Sequence, residues 1–181
     1  MRTDPCTWCP RLLASLLAGL VTLPALAADP CTGFAWDVGQ ERALYASPPQ
    51  PAAAGSNLAS AATMLPDHLY LLTLVPQTQV SFAGAPGKKM LTDGAFAGLA
   101  AFQITAPGIY RIALDEPFWI DVVLDGHLLP SKDFQGAPGC SAPRKIVEFD
   151  LPAAKNLVLQ FSGATSATTR VTITRAPAPK S

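Results

Sequence analysis

The chain has 181 residues, 49% of them hydrophobic and 14% charged, with 13 basic side chains balancing 13 acidic ones. A near-neutral balance excludes nucleic acid and anionic membrane as default partners, because both call for a basic face. The length fits one domain with a core of its own.

The chain opens on a secretory signal pattern. Arg2 and Arg11 flank the start, Leu12 to Leu23 form an apolar run, and Ala25-Leu26-Ala27 supplies small residues for cleavage after Ala27 or Ala28. An apolar run of about a dozen residues is too short to cross a hydrocarbon core, so no integral membrane segment is expected after cleavage. Residues 1–27 are assigned to the signal peptide and the mature protein to the periplasm or the medium. Cleavage removes Cys6 and Cys9 together with Arg2, Arg11 and Asp4, which leaves 11 basic and 12 acidic side chains, a net charge of −1.

Cys31 and Cys140 remain. An isolated cysteine pair in an oxidising compartment is expected to bond, and closing a loop of roughly 100 residues contributes about 4–5 kcal/mol in the chain-entropy model. Between them, Phe34-Ala35-Trp36 reads as extended, with Trp36 a core anchor near the disulfide. Asp37 is placed to cap a helix over Val38 to Tyr45, with Gln40 completing a capping box. Residues 46–63, mostly Ser, Pro, Ala, Gly and Asn, read as a surface loop or strap. Residues 28–63 thus form an N-terminal lead-in to a body over 64–175, and 176–181 a flexible Pro-rich tail.

From Leu69 the pattern changes to period two, with Tyr70, Leu72 and Leu74 on one face and Val80 and Phe82 following after Pro76. Further strands are expected at 97–105, 109–114, 118–124, 144–150, 156–162 and 168–175, separated by turn chemistry such as Ala106-Pro107-Gly108 and Asp125-Gly126. The Asp125-Gly126 pair tolerates positive φ and predicts a tight hairpin into His127–Leu129. Residues 130–143 read as a long loop carrying Cys140. Short strands at this spacing predict an all-β chain, a single β-sandwich or jelly roll.

On the strand at 119–124, Ile120, Val122 and Leu124 form an apolar face that belongs in the core, which turns Trp119, Asp121 and Val123 outward. An exposed indole beside a carboxylate is a platform for a ligand, stacking on a sugar ring and hydrogen-bonding its hydroxyls. The competing reading lays the 46–63 strap over Trp119. Three other patterns carry less. Gly84-Ala85-Pro86-Gly87-Lys88-Lys89 has two residues between its glycines where a phosphate loop needs four, so it reads as a turn offering unspecific anion contact through Lys88 and Lys89. Asp121, Asp125 and Asp133 do not alternate as calcium ligands do. A nucleophile elbow of the Gly-x-Ser-x-Gly kind is absent from the sequence.

The strand Pro107-Gly108-Ile109-Tyr110-Arg111-Ile112-Ala113-Leu114, the strand Trp119 to Asp125-Gly126, and Leu157-Val158-Leu159-Gln160-Phe161-Ser162-Gly163 together resemble the bacterial pre-peptidase C-terminal domain family. The likeness covers roughly residues 95–175 and rests on a Gly-x-Tyr strand, an aspartate-bearing strand ending in Asp-Gly, and an alternating strand before Ser-Gly. It implies a secreted β-sandwich that binds or assists, without cofactor, with a polysaccharide or another exported protein as partner. A second resemblance, of overall type and not of motif, is to short exported chains that carry the homogentisate dioxygenase name. It implies a metal-dependent enzyme whose iron is held by two histidines and a glutamate, here His68 and His127 with Glu148 or Glu116. The plainer reading puts His68 at a strand edge and His127 in an exposed hairpin. A small hydrolase with a site assembled across loops is the remaining alternative.

Overall fold

The computed structural model describes residues 30–88 and 93–178, without the side chains of Pro30 and Lys155. The signal-peptide segment, Lys89 and the end of the tail lie outside the described residues. Among the described residues, one α-helix and twelve strands follow in chain order, besides three short 3-10 turns: α1 (Gly39–Tyr45), β1 (Gln50–Ala53), β2 (Ala62–Met64), β3 (Leu69–Thr73), β4 (Val75–Pro76), β5 (Phe96–Ile104), β6 (Gly108–Leu114), β7 (Trp119–Leu124), β8 (His127–Leu129), β9 (Ser131–Gly136), β10 (Lys145–Leu151), β11 (Ala154–Ala164) and β12 (Thr168–Arg175).

The strands make two packed six-stranded sheets, as the alternation predicts. One sheet runs β1-β3-β12-β6-β10-β9; the other runs β2-β5-β11-β7-β8, with β4 on β5. Between them lies the main core. Tyr70, Leu72 and Leu74 enter it from β3 and its end, Tyr110, Ile112 and Leu114 from β6, and Val147, Phe149 and Leu151 from β10, facing Ile120, Val122, Leu157, Leu159 and Phe161 of the other sheet. Each such side chain contributes roughly 1.5–3 kcal/mol on burial. The Asp125-Gly126 turn joins β7 to β8 with both residues at positive φ, 51° and 79°, which pairs Leu124 with His127.

The strap departs from the expected loop. Pro51 cannot donate to a ladder, yet β1 pairs in parallel with β3, and β2 in parallel with β5, so both lie on sheet edges where a missing donor is tolerated. The expected loop at 130–143 likewise contains β9, which pairs with β10. Its sequence Ser-Lys-Asp-Phe-Gln-Gly is polar because it is an edge strand, and edges are protected from further pairing by charge. Val80 and Phe82 do not form a strand; they pack on the outer face of the second sheet with Leu99, Val123 and Val158.

The outer face of the first sheet is covered by the N-terminal segment. Phe34, Trp36, Val38 and Tyr45 close over Leu69, Ala113 and Ile146, so Trp36 is half-buried here and not in the main core. The helix starts one residue later than expected, and the capping box does not form. Asp37 Oδ1 accepts from the Gly39 amide at 3.1 Å, while Gln40 Nε2 donates to Asp67 at 2.7 Å. A disulfide joins Cys31 to Cys140, across 109 residues, with Cα atoms 4.9 Å apart. Under the helix sits a buried charge network. Arg111 donates from Nε to Glu148 at 2.9 Å and from a terminal nitrogen to the Asp37 carbonyl at 2.6 Å, lies 3.8 Å from Glu41, and stacks 4.8 Å from the Trp36 ring centre. Glu41 is only 1% exposed and accepts from Thr174 at 2.7 Å. The Tyr45 hydroxyl is placed on the carbonyls of Ala113 and Arg170, at 3.1 and 2.9 Å. Burial holds that phenol well above its ordinary value, helped by the charge of Asp115 and opposed by Arg170.

Candidate functional site at the open side of the sandwich

β8 and β9, the last strands of the two sheets, are joined through Pro130 but do not pair with each other, and the sheets part beside that corner. Phe134 is the register partner of buried Val147, which puts it on the inward face of its sheet, yet it is 68% exposed. It stands over the gap. On the other side β7 pairs with β8 only from Val122 onward, so Trp119 and Asp121 have no strand beside them there. The result is a cleft of about 490 Å³ walled by Trp119, Leu128, Leu129, Phe134, Val147 and Phe149. A second hollow of about 450 Å³ continues from it past Trp119, Phe134 and Lys145 toward Lys88 and Arg144.

The structure joins the two residues that the sequence reads as a platform, by a hydrogen bond of 2.9 Å, but gives them different tasks. Trp119 is half-buried and lines both hollows. Asp121 is 7% exposed and already engaged: Oδ1 accepts from the Trp119 indole at 2.9 Å, and Oδ2 from the Gly87 amide at 3.1 Å and Gln160 at 3.2 Å. Its role is to hold the indole and the 84–87 turn, and it is not an open acceptor for a ligand hydroxyl. Beside Trp119 and Asp121 the cover is the turn ending at Gly87 and Lys88 and not the 46–63 strap, whose Ala61 packs further along the same face with the cluster of Leu99, Val123 and Val158. Gly87 makes the approach possible, since a Cβ there would stand 2.8 Å from Asp121 Oδ1.

Cations gather at the indole. The ammonium of Lys145 lies 5.6 Å and that of Lys88 5.8 Å from the Trp119 ring centre, and Lys145 donates to the Phe118 carbonyl at 2.8 Å. Burial pushes the Lys145 ammonium below its ordinary value and the neighbouring Lys88 adds to this, while Asp121 pulls the other way. Lys145 and Phe134 were missed by sequence reasoning. They enter the site through the β9–β10 register, and the one signal in the sequence was a lone aromatic inside a polar stretch.

The residues proposed for iron are not brought together. Among the described residues, no group of three or more His, Cys, Asp or Glu is placed to hold a metal ion. His68 is half-buried ahead of β3, with Nδ1 2.9 Å from the Pro66 carbonyl, and His127 is exposed on β8 of the opposite sheet. Glu148 faces outward on β10 and pairs with Arg111, which fixes it under the N-terminal segment. Asp125 bonds the Asn156 amide, and Asp133 accepts from the Phe134 amide, so the three aspartates considered for calcium have separate tasks.

No protein-family model matches the chain, and no curated protein matches it. The geometry therefore has to carry the class on its own: a disulfide-bonded β-sandwich with an apolar, cation-rimmed cleft at its open side.

Proposed function

We propose that this chain is an exported, non-enzymatic binding or accessory module, comparable in kind to the pre-peptidase C-terminal domains that its strands resemble. The disulfide supports an oxidising compartment, where such bonds persist. Among the described residues, no helix is long and apolar enough to cross a membrane. The observation that carries the binding reading is the cleft at Trp119 and Phe134, because a concave, largely apolar site with a few convergent polar groups is where a ligand loses water at least cost.

The test uses the neutral fluorescent probe 1-N-phenylnaphthylamine on the mature protein. It gains emission when it enters the cleft, and Phe134→Ser and Trp119→Ala each weaken its binding. Emission gain that survives both substitutions places the probe elsewhere and overturns the reading.

A further inference from the structure

The cleft is not a generic apolar hollow, because positive charge predominates along it. Lys145, Lys88 and Arg144 line the joined hollows, and the one carboxylate among their described lining residues, Asp121, is held by three donors. Two ammonium groups within 6 Å of the centre of one indole repel each other, and the burial of Lys145 weakens screening by water. An anion placed there relieves that repulsion. The inner hollow, in contrast, is mainly hydrocarbon: Leu128, Leu129, Phe134, Val147 and Phe149 form its walls. Its polar side chains are Asp121, Ser131 and Lys145, too few to satisfy the hydroxyls of a sugar, each of which costs free energy if buried without a partner.

We infer that the cleft takes an amphipathic monoanion, an apolar body carrying one carboxylate, with the carboxylate on Lys145, Lys88 adding a second positive charge, and the apolar body between Phe134 and Leu128. The inference rests on the binding reading above and narrows its ligand. Lys145 serves as the anchor because an ammonium has three N–H donors and the Phe118 carbonyl takes one of them.

The experiment is displacement of 1-N-phenylnaphthylamine from the mature protein by decanoate, by 1-decanol of equal chain length, and by a tetramer of galacturonate. Direct calorimetry with decanoate accompanies it. The expected result is a preference for decanoate over 1-decanol of about tenfold or more, the scale of one charge-assisted contact in a desolvated site. Lys145→Met removes the preference, Lys145→Arg retains part of it, and Lys88→Ala, at an exposed position, lowers it without changing the melting temperature. Equal displacement by decanoate and 1-decanol overturns the anion inference and leaves the cleft as a neutral apolar site. A preference that Lys145→Met and Lys88→Ala both leave intact overturns it as well. Tighter binding of the galacturonate tetramer than of decanoate overturns the amphiphile in favour of an acidic polysaccharide. If neither the probe nor decanoate binds, the binding reading falls and this inference with it.

Discussion

The indole nitrogen of Trp119 donates to Oδ1 of Asp121, two residues further along the same strand and 2.9 Å away. Neighbours at i and i+2 share one face of a strand, so the pair forms without any long-range register, and the carboxylate then reaches Gly87 and Gln160 with its other oxygen. Asp121→Ala leaves three donors without their acceptor. At about 1–3 kcal/mol for each donor that remains buried, the loss is about 3 kcal/mol or more, measured as a lower urea midpoint. Asp121→Asn costs less, because it keeps an acceptor for the indole while its amide group meets two donors.

Arg111→Leu tests the network beneath α1. It strips Glu41 and Glu148 of their cation while Glu41 stays buried, and breaking a buried pair from one side costs about 3–5 kcal/mol. Chemical denaturation followed by far-ultraviolet dichroism reads this loss. A variant as stable as the parent would show that the N-terminal segment is held without the guanidinium.

Reduction of the disulfide lowers the melting temperature. The bond closes a span of 109 residues. The chain-entropy model gives such a closure about 4–5 kcal/mol. Thermal melts with and without reductant measure the difference, and Cys140→Ala melts where the reduced parent does.

Alkaline stability is set in part by Tyr45. Its folded pKa is raised well above the ordinary 10.0, so above pH 10 the unfolded chain holds fewer protons than the native one. Stability is intact below that value and falls as pH rises through the window toward the raised value. Lys145 acts in the opposite sense: its folded pKa lies below 10.5, and its burial cost is relieved as pH rises through that interval. Melting temperatures from pH 8 to about 11 therefore decline less steeply in Tyr45→Phe than in the parent.

The two faces of β7 were legible from six residues, because Ile120 and Val122 fill the main core while Trp119 and Asp121 look the other way. Alternation works wherever one face is apolar and the other polar. It fails on β1 and β2, where short Ala- and Pro-bearing segments pair in parallel at an edge, and on β9, whose polar surface hides its backbone pairing. Cover is equally invisible. Val123 reads as outward and is so, yet Val80 and Phe82 bury it on that side, through contacts no local pattern encodes. Arg111 stands in an otherwise apolar strand, and only the fold identifies Glu41 and Glu148 as its partners. The site followed the same rule: Trp119 was readable, whereas Lys145 and Phe134 join it across a register.

Because the outer faces of both sheets are covered, the central strands β11 and β6 have their amides shielded by ladders on two sides and packing on two more. Their hydrogens exchange with solvent deuterium only when the whole fold opens, whereas β8 and β9, each paired on one side, exchange by local fraying. These edge amides border the cleft. Anything that bridges its two lips slows their exchange while leaving the interior strands unchanged, which gives the molecule a built-in isotopic gauge of occupancy.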